Sequence, residues 1–284
     1  MSWFRSRTLK VAIMSTMAAL IVAVSRLPGL PAIGAPTKIE FTTVLYPVIG
    51  ILLGPELGFV ASLLGNFIAW IIPSTTMFGL LVIPAGALAS LVAGFLTGRS
   101  ERGWLYGSAV LAALIACWYV SPVGFEAPFY PVFHIAALAL SLTLGKKLKG
   151  LLDSEGKRLV WGSAVTSYVA AMTDSMYGNL AYVGALGIII PLKEFKKALK
   201  AMGVLWAKTG IPKPADYLAW LGLPVPEELT LGYLFMAVLP ITIAERVTIT
   251  LVSTLISIAV VRAFKTVFIR RQPPEKSEKS EETR

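Results

Sequence analysis

The chain has 284 residues, of which 56% are hydrophobic and only 15% are charged. About a quarter of the residues of a soluble domain are charged, so this composition excludes an ordinary soluble protein and predicts a surface that largely faces lipid. The formal net charge of +10 comes from Lys and Arg at the ends of apolar segments, which is typical of an oriented membrane protein and does not indicate nucleic-acid binding.

Eight apolar segments follow one another along the chain. A membrane-spanning helix needs about 20 predominantly apolar residues. The candidate spans are 8–26, 41–53, 56–72, 78–98, 104–120, 131–146, 159–190 and 230–263. The second is short, and the last two are too long for one straight crossing. We therefore predict an all-α, polytopic membrane helix bundle of about six to eight transmembrane helices, in one membrane domain over residues 1–270. The charged, Pro/Ser-rich segment 271–284 is predicted to be a disordered cytoplasmic tail.

Basic residues predict the orientation of the bundle. Arg5, Arg7 and Lys10 precede the first span. Further basic clusters lie between spans four and five, between spans six and seven, and after the last: Arg99, Arg102, Lys146, Lys147, Lys149, Lys157, Arg158, Arg262, Lys265, Arg270 and Arg271. Eight crossings place all of them on one side, so we expect a multi-pass protein of the cell membrane with both termini in the cytoplasm.

The long connection 191–229 carries six lysines on the predicted outer side. Its first half places apolar residues on one helical face, opposite the lysines: Leu192, Phe195, Leu199, Met202 and Trp206. Such a helix suits the membrane interface, but an amphipathic connector or a substrate lid fits the pattern equally well. Segments 180–190 and 230–240 flank this connection, and we expect them to enter the outer leaflet and to wall a pocket that the connection covers.

About the first hundred residues hold the most specific pattern. Gly54-Pro55-Glu56 predicts a sharp turn between a short helix and a new one, because Pro fits the first helical turn and Glu there interacts favourably with the helix dipole. Small residues recur at four-residue spacing throughout residues 43–98, which allows neighbouring membrane helices to approach closely.

Three segments of this region resemble the substrate-binding S components of energy-coupling factor (ECF) transporters: KVAIMSTMAALIVAVSRL, IEFTTVLYPVIGILLGPELGFVASLLGNFIAW and FGLLVIPAGALASLVAGFLTGR. A weaker similarity to the closing helix of that family lies in LPITIAERVTITLVSTLISIAVVR. The resemblance implies a protein that binds a vitamin or related micronutrient from outside, then docks on a transmembrane coupling subunit driven by paired ATPases. Because members are usually shorter, it implies an S-component-like core with extra elements.

In that family the first helix presents small residues at four-residue spacing to the coupling subunit. Ala12, Ser15, Ala19 and Ala23 match this pattern, so the resemblance implies that they contact the partner. Packing against this protein's own helices is the alternative.

Polar side chains at membrane depth are costly and therefore indicate functional sites. They gather in the predicted outer halves of the spans, where a site for an external ligand is expected. The candidate substrate-binding residues are Asn66, Trp70, Glu126, His134, Asp174, Tyr177, Asn179 and Glu245. Nearby aromatic residues suit a flat heterocyclic vitamin, neutral or cationic, although an ordinary interfacial belt also explains them. Ion pairs of Arg246 with Glu245 or Asp174 are the structural alternative for those carboxylates.

No enzyme motif is present: the sequence lacks a Walker A pattern, HExxH and Gly-x-Ser-x-Gly. We therefore predict no catalytic activity, cofactor or metal site, and ATP hydrolysis by partner subunits. Two other classes stay open. A stand-alone secondary transporter or channel is usually built from internal repeats, which the two halves do not clearly show. An integral membrane enzyme acting on lipid would use Asp174, His134 or Glu245.

Overall fold

The computed structural model describes residues 6–31, 38–72, 76–98, 100–209, 213–225 and 230–269. Over these ranges the chain is a bundle of helices: α1 (Arg7–Val24), α2 (Leu45–Leu53), α3 (Pro55–Ile71), α4 (Met77–Thr97), α5 (Gly103–Val120), α6 (Pro122–Glu126), α7 (Val132–Asp153), α8 (Gly156–Ala185), α9 (Leu192–Thr209), α10 (Pro214–Trp220) and α11 (Leu231–Ile269). A two-residue antiparallel pair, β1 (Leu30–Pro31) with β2 (Lys38–Ile39), and a 3₁₀ turn (Phe41–Val44) join α1 to α2. The predicted tail 271–284 lies outside the described residues.

Membrane-spanning length is evident in four of the described helices, which are long and apolar enough to cross: Arg7–Val24, Met77–Thr97, Gly103–Val120 and Leu231–Val267. The segments Phe41–Leu53 and Pro55–Ile71 are apolar but shorter. With 22 and 30 residues, α7 and α8 have sufficient length but carry more polar side chains. The all-α membrane bundle predicted from composition is confirmed.

The last predicted span, which is too long for one straight crossing, is a single helix: Pro240 lies inside the 39-residue α11. Proline has no backbone N–H, so the carbonyl four residues earlier, that of Met236, has no intrahelical donor. The hydroxyl of Tyr217 in α10 donates to this carbonyl. A partner from the preceding connection therefore allows α11 to continue through Pro240. The neighbouring α8 is also unbroken, and ends at Ala185 before a turn at 186–190.

Helix α4 lies at the centre of the bundle and packs against α2, α3, α5, α7 and α8. Small residues permit close contacts with α4 and also between α1 and α3. A Cβ atom at Gly50 of α2 would lie 2.2 Å from the carbonyl oxygen of Ser90 in α4, and one at Gly65 of α3 would lie 2.9 Å from the Cβ of Ile21 in α1. The four-residue spacing in the sequence therefore corresponds to helices whose backbones nearly touch, which is how membrane helices gain packing contacts.

The amphipathic helix predicted in 191–229 is α9, and its apolar face packs on the protein's own core. Phe195, Leu199 and Met202 are buried in the same hydrophobic cluster as Trp118 and Tyr182 of the main bundle. Such packing is what the amphipathic connector, one of the two alternatives for this segment, predicts. Leu192, which was expected on the same face, is 58% exposed, because it begins the helix beyond the edge of that contact. The side chain of Trp206 lies outside the described part of the chain.

Candidate functional site

A cavity of about 320 Å³ lies among α2, α3, α4, α8 and α11. Six aromatic side chains contribute to its wall: Tyr46, Trp70, Phe78, Tyr130, Tyr182 and Phe235. Its polar lining includes Glu40, Thr42, Asn66, Asp174, Asn179, Glu245 and Arg246. A few convergent polar groups among aromatic walls, in a volume of roughly 300 Å³ or more, are typical of small-molecule sites.

One side of this cavity carries a cluster of three charged residues. Nη1 of Arg246 in α11 donates to Oδ2 of Asp174 in α8 at 2.9 Å, and Nη2 lies 2.7 Å from Oε1 of Glu245. The second contact is an ion pair without hydrogen-bond geometry. The three side chains are 11–15% exposed. The ion pairs that were the alternative to substrate binding are therefore observed. Arg246 pairs with both carboxylates, and its pair with Asp174 joins α8 to α11.

Asn66 joins three helices beside the cavity. Its Oδ1 accepts a hydrogen bond from the Tyr46 hydroxyl of α2 at 3.0 Å, and its Nδ2 donates to the carbonyl of Ile83 in α4 at 3.3 Å. The ring of Tyr46 covers Gly86, where an added Cβ would lie 2.2 Å from the ring. The amide is therefore held in one orientation by its own protein, with Tyr46 fixed next to it.

The aromatic wall is also packed in place. Tyr130 stacks on Trp118 with ring centroids 4.9 Å apart, and Phe235 meets both rings edge-on at 4.9 and 5.0 Å. Asn179 donates from Nδ2 to the Tyr130 hydroxyl at 3.1 Å. Tyr182 contacts Phe235 edge-on at 6.0 Å. Rings held by such contacts need little ordering when a ligand binds, which favours affinity.

The structure brings five of the predicted substrate-binding residues together at this cavity: Asn66, Trp70, Asp174, Asn179 and Glu245. The segments 180–190 and 230–240 also contribute to its wall, through Tyr182 and Phe235 among others. No described residue of the connection 191–229 lines it. Among the described residues, no group of three or more His, Cys, Asp or Glu side chains is arranged to hold a metal ion.

Three other predicted residues lie elsewhere. Oε2 of Glu126 accepts the backbone N–H of Gly232 at 2.8 Å and so holds the first turn of α11. His134 is 3% exposed and lines a separate chamber of about 30 Å³ behind Tyr130 and Arg246. Tyr177 does not line the cavity, because Asp174 and Gly178 define the inward face of α8 and the 3.6-residue period turns Tyr177 away from it.

Several residues of the cavity were not predicted from the sequence. Tyr46, Tyr130 and Phe235 had no distinguishing motif, although Phe235 and Glu245 belong to a set of α11 residues at helical spacing that faces inward. This periodicity becomes a signal only when Pro240 is known to lie within a continuous helix. Tyr46 lies in a short span whose neighbours are distant along the chain.

The four small residues of α1 that match the docking pattern lie on the outside of the bundle. Ala12, Ser15, Ala19 and Ala23 are all exposed, whereas Ile21, on another face, is buried. These four residues therefore do not pack against the protein's own helices, which was the alternative to partner docking. At the end of α1, Nη2 of Arg26 donates to the carbonyl of Ala69 in α3 at 2.7 Å.

Comparisons with known proteins agree with this architecture. The family model of the ECF transporter substrate-specific component matches residues 9–152. An uncharacterized protein of Methanocaldococcus jannaschii is 32% identical over 165 residues, which are 57% of this chain and 54% of that protein. The chain thus spans about half the length of this relative. No solved structure matches. Asp174, Glu245 and Arg246 lie beyond the residues that the family model matches. Because the family model covers half of the chain, the chain belongs to the family of ECF transporter substrate-specific components.

Proposed function

We propose that this protein is the membrane-embedded substrate-binding subunit for uptake of a vitamin or related micronutrient. It works with a transmembrane coupling subunit and with ATPase subunits. The observation that carries this proposal is the cavity of about 320 Å³ with its aromatic wall and its charged cluster. A small heterocyclic solute fits such a site, where flat rings provide stacking area and a few polar groups fix its orientation.

The partner-facing role is assigned to α1. Its exposed small residues, Ala12, Ser15, Ala19 and Ala23, form a smooth helical face, which suits the close approach of another membrane helix. The opposite face is occupied by contacts with α3. This division supports a helix that belongs to the bundle on one side and docks on the coupling subunit on the other.

The orientation that follows from the basic residues completes the proposal. Both termini lie in the cytoplasm, residues 1–270 form the membrane domain, and the connection 191–229 lies outside the cell. The cavity then opens toward the outer side, from which a nutrient arrives. The surrounding membrane lipid contacts the exposed apolar side chains of the bundle, such as Val120 and Leu255.

Purification in mild detergent, followed by mass spectrometry of bound small molecules and associated subunits, tests this function. A vitamin-like solute together with a coupling subunit and ATPases is the expected result. Solute uptake into vesicles that contain this chain but no ATPase would instead indicate a stand-alone transporter and contradict the proposal.

A matched pair of variants assigns the bound solute to the cavity. Val82→Phe places a larger side chain in the cavity wall, whereas Val160→Phe makes the same change on the exposed surface of α8. We expect the first variant to lose the co-purifying solute and the second to retain it. Equal retention by both variants would show that the solute binds elsewhere.

A further inference from the structure

Acidic side chains outnumber basic ones in the lining of the cavity. Among the described residues of its wall, the carboxylates are Glu40, Asp174 and Glu245, and the one basic side chain is that of Arg246. Asp174 and Glu245 share this single guanidinium, so two acidic side chains face one basic side chain at this side of the cavity.

Arg246 is poorly placed to receive an anionic ligand. Its Nη1 donates to Asp174 at 2.9 Å, its Nη2 lies 2.7 Å from Glu245, and the planar fork that would hold a ligand carboxylate or phosphate is therefore already engaged. An anion entering the cavity would compete with both carboxylates for the same guanidinium. A neutral ligand would neither compete with them nor pair with them.

A second ionised carboxylate beside one guanidinium is costly in this place. The side chains of Asp174 and Glu245 are only 11% and 15% exposed, and they lie between helices of a membrane bundle. Buried charges without a partner destabilise proteins, and charged groups at membrane depth are retained where they have a function. A positively charged ligand supplies the missing partner. The rings of Tyr130, Tyr182 and Phe235, which also line the cavity, attract cations through their π faces.

We propose that the cavity selects a ligand with a positively charged group on a flat, largely apolar body. The charged group binds Asp174 and Glu245, and the flat body packs against the aromatic wall. Arg246 holds the two carboxylates in position, and these carboxylates repel anions. This inference rests on the proposed function, because it names the chemical class of solute that the same site accepts.

Three probes of nearly identical shape separate the contribution of charge from that of shape: benzamidine, which is cationic, benzamide, which is neutral, and benzoate, which is anionic. Their binding to the purified full-length protein is measured by titration calorimetry and by the shift in thermal unfolding, with sodium chloride constant. We expect benzamidine to bind at least about tenfold more tightly than benzamide, as for a hydrogen bond to a charged group, and benzoate to bind least.

Two variants locate the charge preference. Glu245→Gln keeps the shape of the side chain and removes its charge, and it should reduce the preference for benzamidine over benzamide by roughly tenfold. Glu194→Gln removes a carboxylate from α9, outside the cavity, and should leave the preference unchanged. The comparison of the three probes on the unmodified protein stands even where a variant fails to fold.

The proposal is overturned by equal affinity for the three probes, by no binding of any of them, by tightest binding of benzoate, or by equal stabilisation with sodium chloride alone. Its failure is distinguishable from failure of the proposed function. A neutral or anionic vitamin that co-purifies with the coupling subunit would overturn the charge preference and leave the uptake role intact. Conversely, if the protein prefers benzamidine but no coupling or ATPase subunit co-purifies with it, the charge preference stands and the uptake role is contradicted.

Discussion

Replacing Arg246 with Met should cost more stability than any other single change in the charged cluster. The substitution leaves Asp174 and Glu245 without a counter-charge at side-chain exposures of 11% and 15%. Removing one partner of a buried ion pair typically costs about 3–5 kcal/mol. Because the cluster borders a cavity that admits water, we expect the lower end, about 3 kcal/mol in the free energy of unfolding.

The two carboxylates should not be equivalent. Asp174→Asn removes the charge from a 2.9 Å hydrogen bond between α8 and α11, whereas Glu245→Gln removes an adjacent contact that lacks hydrogen-bond geometry. We therefore expect Asp174→Asn to cost about 2 kcal/mol, and Glu245→Gln to change the free energy of unfolding by less than about 1 kcal/mol in either direction. After Glu245→Gln, one carboxylate still faces one guanidinium.

The triple variant Asp174→Asn, Glu245→Gln, Arg246→Met provides the decisive comparison. All charges of the cluster are then absent, so no unpaired charge is left buried, and most of the stability lost in Arg246→Met alone should return. Equilibrium unfolding in mixed micelles, followed by tryptophan fluorescence, measures each free energy. If Arg246→Met is as stable as the original protein, or the triple variant is less stable than Arg246→Met, then the cluster does not contribute as a mutually compensating unit.

Four further predictions concern other parts of the molecule. Tyr217→Phe should lower the free energy of unfolding by about 1–3 kcal/mol, because it leaves the carbonyl of Met236 without a donor; unchanged stability would mean that this bond does not support α11. His134→Leu should raise stability by about 1 kcal/mol in the same assay, because neither buried ring nitrogen has a partner among the described residues; a loss of stability would contradict this reasoning. Ile188→Cys, at a position that is 84% exposed, should react with an impermeant maleimide from outside intact cells in a background without the native cysteine; labelling only after permeabilisation would contradict the predicted orientation. Ala19→Trp should reduce co-purification of the coupling subunit without changing ligand binding, and undiminished assembly would remove α1 from the interface.

The turn between α2 and α3 was predictable because its cause is local. Gly54 adopts φ of 79°, Pro55 occupies the first turn of α3, and Glu56 follows in that turn. Each residue type has the conformational or electrostatic preference that this position requires, independently of the rest of the fold. The small-residue spacing of the first four helices was equally informative, since close helix contact depends directly on side-chain size.

The course of α11 was not predictable in this way, because a distant residue decides it. A proline inside a helix normally ends or kinks it, so the sequence alone favours a break at Pro240. The hydroxyl of Tyr217 compensates for the missing donor, and the sequence does not indicate that α10 would bring it there. The same reason explains Glu126: its role is a hydrogen bond to Gly232, which is far away in the chain.

Polarity at membrane depth predicted the site better than it predicted individual contacts. It selected Asn66, Asp174 and Glu245, all of which line the cavity, because a polar group in a membrane span must be satisfied by other groups. It also selected His134, which lines a separate small chamber. Hydropathy along the chain cannot distinguish a residue that lines the cavity from one that lines the small chamber, since residues of both kinds are polar and lie within helices. Which of the two a side chain reaches depends on the rotation of its helix about the helix axis.

Helix α3 belongs to both proposed activities, ligand binding and partner docking. Gly65 lies so close to α1 that an added Cβ would come within 2.9 Å of Ile21. One turn later, Ala69 lies beside both sites: it lines the cavity together with Asn66, and its carbonyl accepts a hydrogen bond from Arg26 at the end of α1. Close-packed interfaces have no free volume in which one helix can shift alone. A ligand that displaces α3 must therefore also displace α1, whose outer face carries the small residues proposed for docking.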